Sequence, residues 1–225
     1  MKNNPFLELG NALSAIETTD SAGKPLGCQK AILQIVKVIS RQRKKGNKIM
    51  LIGNGGSASI ASHIATDFLK NLKIPALAFN DSSLLTCLSN DLGYEQVFSV
   101  PISMLAKKGD ILFAISSSGK SKNILNAVSQ AKKKGCFVIG LSGFSLRNPL
   151  RNMGNINFYV PSSSYGAVEI AHLAICHAVV DILYTTRPKT VPFRARIRCG
   201  RFSIPPLGTP RRRRGVGSIK NKRNG

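Results

Sequence analysis

The sequence predicts an α/β protein organised as a doubly wound sandwich around a parallel sheet. Three observations carry that expectation. Five short apolar runs recur at 48–52, 75–79, 111–115, 136–141 and 157–160. Helical patterns lie between or after them, at 57–70, 94–107, 121–134 and 165–184. Two of the runs open into glycine- or serine-rich turns that lead straight into a helix. Strands that alternate with helices argue for a parallel sheet covered on both faces. Continuous apolar strands suit burial on both faces, and right-handed crossovers place helices there.

Taken in order, the chain begins with helical spacing at 6–18 and 29–45, separated by a break near Gly23-Lys24-Pro25. Ile32, Ile35, Val36 and Ile39 form the apolar face of the second helix, and Arg41, Arg43, Lys44 and Lys45 suit its C-terminus. Residues 1–47 are therefore expected as an N-terminal helical segment and 48–186 as the ligand-binding domain. Residues 187–225 hold 13 of the 33 Lys+Arg, none of the 10 Asp+Glu and five of the 11 prolines, with little apolar periodicity. That composition predicts a basic, disordered tail. Arg211-Arg212-Arg213-Arg214 suits nucleic acid or an anionic surface, yet basic runs are often only solvated. The abrupt change after Thr186 equally fits a shifted reading frame, so no function is drawn from the tail.

At 225 residues with 43% hydrophobic content, the rest of the chain is long enough for one well-cored domain. It has no run of eighteen apolar residues and no apolar leader, so neither a membrane-spanning helix nor a signal peptide is expected. Five separated cysteines without a CxxC pair read as reduced thiols, which suits a cytoplasmic protein.

The first loop, Gly53-Asn54-Gly55-Gly56-Ser57, is not a dinucleotide fingerprint. GxGxxG would need glycine at Ala58, and no acidic residue ends the next strand. Gly55 and Gly56 let backbone approach a ligand, and Ser57 can offer its hydroxyl at a helix start. The second loop runs Ser116-Ser117-Ser118-Gly119-Lys120-Ser121. It loosely mimics a nucleoside-triphosphate loop, but Ala114 lies inside the strand and Asp110 precedes one instead of ending it. No nucleotide cofactor is expected. Free N–H groups and hydroxyls at two strand tips suit a phosphate monoester.

A third constellation is polar. His63 and Asp67 lie four apart on the helix after the first loop, while Glu169, His172 and His177 lie on the last helix. All three histidines of the chain fall on these two helices. Together with the two carboxylates they fit either an acid–base set or a divalent-metal site suited to zinc.

These pieces, in this order, resemble the sugar isomerase (SIS) domain and, within it, the phosphoheptose isomerases. The likeness runs from about Phe6 to Leu183. It is densest at Gly53 to His63, Asn90-Asp91-Leu92-Gly93-Tyr94, Ile115 to Ser121 with Asn123-Ile124-Leu125, and Glu169 to His177. The resemblance implies a three-layer α/β fold with a five-stranded parallel sheet, a homotetramer, and a phosphosugar substrate. It implies phosphate held by Ser116, Ser117, Ser118 and Ser121, with Asn54 and Ser57 near the sugar and Asp91 contacting substrate. It also implies zinc on His63, Asp67, Glu169 and His177. Asp67 stands where those isomerases have glutamate, Glu169 where they have glutamine, Lys120 where they have asparagine and Asn71 where they usually have arginine.

The activity so implied is aldose–ketose isomerisation through an enediol, with Asp67 removing the carbon-bound proton and His177 serving the oxygens. The diverged positions leave open a second class: a non-catalytic SIS module that binds phosphosugars or scaffolds a partner such as a replication initiator.

Overall fold

The computed structural model describes residues 4–186. In chain order it contains α1 (Pro5–Ser14), β1 (Glu17–Asp20), β2 (Pro25–Leu26), α2 (Cys28–Lys44), β3 (Ile49–Ile52), α3 (Gly56–Lys70) and β4 (Ala76–Ala78). There follow α4 (Ser82–Leu92), α5 (Ser99–Leu105), β5 (Ile111–Ser116), α6 (Lys122–Lys133), β6 (Phe137–Gly143), β7 (Ile156–Val160) and α7 (Tyr165–Thr186). The sheet order is β2-β1-β7-β6-β5-β3-β4. All five strands read from the sequence are present, and their pairings are parallel.

The sheet nonetheless has seven strands, not five, because a hairpin joins its far edge. β1 pairs antiparallel with β7 and with β2, so the expected helix over 6–18 ends at Ser14 and its last residues become strand. The cause is local. Thr18 is β-branched and buried, and the Asp20 carboxylate closes the turn by accepting from Ala22 N and Lys24 N, both at 2.9 Å. Pairing there also covers the otherwise open edge of β7. The segment 1–47 thus carries a hairpin between its two helices. The basic tail lies outside the described residues.

Two further departures flank the site. The helix expected over 94–107 is a single 3₁₀ turn at Tyr94–Gln96 followed by α5, in which Pro101 occupies the first turn, where its missing N–H costs nothing. α4, which the sequence reading left out, is capped by the Asp81 carboxylate accepting from Leu84 N at 2.9 Å.

Alternation along the buried strands produces the layers. Ile49, Leu51, Ile111, Phe113 and Ile115 face one apolar cluster with α2, α3 and α7, while Met50, Ile52, Leu112 and Ala114 face another with α5 and α6. At the N-terminal ends of β3 and β5, buried Asp110 pairs with Lys48 Nζ and accepts from Lys48 N (3.0 Å) and Lys107 N (2.8 Å). It ties those two strands together at the end opposite the serine loop.

Among the described residues, α7 alone is long and apolar enough to cross a membrane by length and composition. Half of its most apolar window is buried, and it packs on α1, α2, α3 and the sheet, which is the behaviour of a core helix.

Candidate active site

β3 pairs with β4 on one side and with β5 on the other, so the chain leaves β3 in one direction and returns on the opposite flank. The loops after β3 and β5 therefore diverge to opposite faces, since α3 belongs to one core layer and α6 to the other. Such a switch point opens a crevice beyond the strand tips. Ile52 pairs with Ala114, so the two expected loops begin side by side.

The first turn is tight. A side chain at Gly53 would strike Ser57, and Gly55 has φ +53°, a region that favours glycine. No side chain caps α3, which begins at Gly56 in this turn. In the second loop Gly119 (φ +61°) donates to Ser116 Oγ at 3.2 Å, and Ser116 Oγ lies 3.4 Å from Ser121 Oγ. Asn148 packs where a Gly119 Cβ would stand and itself donates to Gly143 O and Ser145 O. Gly143 N donates to Ser117 O at 2.9 Å, anchoring the loop on β6.

Between the loops lies a cavity of about 150 Å³ lined by Asn54, Ser57, Ile115, Ser116, Ser117, Ser118, Ser121, Tyr165 and Glu169. The Ser117 hydroxyl is buried there without any hydrogen-bond partner. A buried hydroxyl without a partner, on a serine loop that lines a polar cavity beside a helix start, suits a site that binds an anion.

Further along α3 the polar cluster assembles. His63 Nε2 stands 3.2 Å from His177 Nε2, with the rings edge to face at 5.1 Å. Asp67 Oδ2 lies 3.6 Å from His63 Nε2 and 3.8 Å from His177 Nδ1. Asn71 Nδ2 donates to the other Asp67 oxygen at 3.0 Å. These three ligating groups lie within 4.8 Å of one another. Two nitrogens bound tetrahedrally to one zinc at about 2.0–2.1 Å stand roughly 3.3 Å apart, so the imidazole spacing fits that metal.

Glu169 was expected to be a fourth ligand of this cluster, but it is not among the gathered groups. It lies over Gly56, where its carboxylate occupies the space a Cβ would take, and it faces the serine cavity. The reason is helical geometry: Glu169 sits two turns before His177 on α7, level with the start of α3. Asp91 also stands apart from the cavity lining. It is exposed at the end of α4, accepting from Asn90 Nδ2 at 2.8 Å. His172, grouped with the polar set by sequence, is buried in the core, and its Nε2 donates to Ser142 O at 3.2 Å. Burial pushes its pKa down to about 4, which keeps it neutral and structural.

Three polar residues gained no role from sequence. Asn123 is buried and pairs both ways with Asn54 (3.1 and 2.9 Å), Tyr94 Oη donates to Asn54 Oδ1 at 2.9 Å, and Tyr165 walls the cavity. Tyr94 and Asn123 fell within the stretches of family likeness, but nothing in the sequence showed that they meet at Asn54.

Paired phosphate-type loops at a switch point, with a His–Asp cluster shared by α3 and α7, suit an α/β protein that handles a phosphorylated ligand. Residues 27–143 match the SIS domain model, and the chain belongs to the SIS domain family, among the phosphoheptose isomerases. It is 37% identical over 169 residues to a phosphoheptose isomerase of Helicobacter hepaticus, covering 72% of this chain and 86% of that protein. It is 40% identical over 146 residues to the one from Nitratiruptor sp., covering 62% and 78%. The structure of phosphoheptose isomerase from Neisseria gonorrhoeae superposes with a TM-score of 0.68 at 28% identity, over 80% of this chain and 95% of that one.

Proposed function

We propose that this chain interconverts sedoheptulose 7-phosphate and D-glycero-D-manno-heptose 7-phosphate through an enediol. The observation that carries the reading is the placement of two unlike sites along one helix. Gly56, in the anion cradle, and His63, in the polar cluster, are seven residues apart on α3. That is about 10 Å of axis and close to two full turns, so both lie on one face. Six C–C bonds of about 1.5 Å, drawn out as a zigzag, span roughly 8 Å. A seven-carbon chain anchored by its terminal phosphate is therefore of a length to carry its carbonyl end to the level of His63, whose Nε2 lies 3.6 Å from Asp67 Oδ2.

Asp67 has an oxygen free of Asn71 with which to take the proton from the carbon beside the carbonyl. The electron pair released forms the C–C double bond of the enediol as the carbonyl oxygen becomes a hydroxyl. His177 moves a proton between the two oxygens, and Asp67 returns its proton to the neighbouring carbon, which balances the isomerisation. The serine loop and Ser57 supply orientation. His63, Asp67 and His177 would hold zinc, which polarises a carbonyl when bound; a set of three protein ligands is the catalytic kind, and the ring nitrogen that His177 would give the metal is then not the one that carries the proton.

Purified protein is expected to turn over sedoheptulose 7-phosphate, to lose that activity in a chelator and to regain it with zinc. Tight binding of the sugar phosphate without turnover in any metal condition would replace this reading with that of a sensor.

A further inference from the structure

We propose that Asn123 and Tyr94 are positioning residues that hold the Asn54 carboxamide as a hydrogen-bond donor toward the ligand. The inference rests on the phosphosugar reading of the cavity that Asn54 lines.

The orientation follows from a chain of one-way hydrogen bonds. A backbone N–H can only donate, and Ile124 N donates at 2.9 Å to Asn123, so the atom it meets is the carboxamide oxygen. The Asn123 NH₂ group therefore points at Asn54, where it meets Oδ1 at 2.9 Å. Asn54 returns one amide hydrogen to Asn123 Oδ1 at 3.1 Å. The Tyr94 phenol donates to the same Asn54 oxygen at 2.9 Å, so both lone pairs of that oxygen are taken. What Asn54 retains for the cavity is its second amide hydrogen, a donor matched to phosphate or hydroxyl oxygen. Asn123 is 3% exposed, so this polarity is set from within the protein and not by water.

The clasp also bridges three separate elements. Asn54 belongs to the loop after β3, Asn123 to the start of α6, and Tyr94 to the turn after α4. The two halves of the cradle and the segment carrying Asp91 are thereby held in one register.

The test compares Asn123→Asp and Tyr94→Phe with the parent, each also in an Asn54→Ala background. Binding of sedoheptulose 7-phosphate and of inorganic phosphate is measured by calorimetry, alongside kcat and KM. Aspartate keeps its bond from Ile124 N but cannot donate to Asn54, which then turns its NH₂ inward and presents oxygen to the ligand. Asn123→Asp is expected to weaken both probes by about tenfold and to raise KM alike, with kcat changed by less than about threefold. Tyr94→Phe is expected to weaken them by about two- to fivefold. In the Asn54→Ala background neither change should have further effect.

Unchanged affinity in Asn123→Asp overturns the proposal. So does a loss that persists without Asn54, which would mean simple charge repulsion or general loosening. If Asn123→Asp does not fold, exposed Tyr94 decides the matter by the same two-background comparison. Failure of the parent to turn over the sugar would sink the isomerase reading alone, because phosphate binding reports on the clasp independently.

Discussion

In the proposed reaction, Asp67 is the side chain on which the chemistry converges. Its carboxylate touches both imidazoles on one oxygen and Asn71 on the other, at the distances of a set that shares protons or metal. Asp67→Asn and His177→Ala are each expected to lower kcat by about 10²- to 10⁴-fold while phosphosugar affinity stays within about threefold. Calorimetry beside single-turnover kinetics checks this, and retained turnover in both variants would refute the assignment. His172 shows the opposite use of an imidazole. Its folded pKa, about 4, lies below the unfolded value near 6.5, so the unfolded chain binds the extra proton between those pH values. Stability from this residue is complete above pH 6.5 and is lost as pH falls toward 4, by up to about 1.4 kcal/mol per unit. Denaturant midpoints at pH 7.5 and pH 5 should therefore differ more for the parent than for His172→Gln, whose amide can still donate to Ser142 O.

At the scale of elements, legibility followed apolar continuity. The five parallel strands and helices α3, α6 and α7 were readable because buried strands and helix faces need near-continuous or periodic apolar residues. The β1–β2 hairpin was not, since four residues rich in threonine beside a Gly/Pro turn carry no apolar period. α4 was missed because none of its residues is fully buried, leaving no stripe to detect. The loops were legible through Gly55, Gly56 and the serine run, which backbone conformation and hydroxyl chemistry single out. The structure sets Glu169 apart from the His63–Asp67–His177 group for a geometric reason. Eight residues on a helix return to a similar face but about 12 Å along the axis, so face alone does not make a site. The serine loop itself offers a test of geometry. Gly119→Ala forces a side chain onto Asn148 at positive φ, and should cost about 1–3 kcal/mol and raise KM for the phosphosugar. A shifted melting temperature with unchanged KM would mean that the turn does not shape the cradle.

For the whole molecule, three layers share one set of strands, so the rigidity of the sheet is also the rigidity of the site. Phe113 is fully buried on β5 and packs 6.0 Å from Phe68 of α3, ring centre to ring centre. Phe113→Ala should cost about 3–5 kcal/mol in a denaturant titration, a loss well above that of any surface change. Gly56 of the cradle and His63 and Asp67 of the proposed proton-transfer set ride on α3 as on a ruler with fixed graduations. Inserting one residue between Gly56 and His63 would swing the far groups by about 100° out of line, and only a full turn of about 5.4 Å restores their aim. Selectivity for backbone length is thus expected to be stepped, and a pentose 5-phosphate is expected to show a far lower kcat/KM than sedoheptulose 7-phosphate in the same assay.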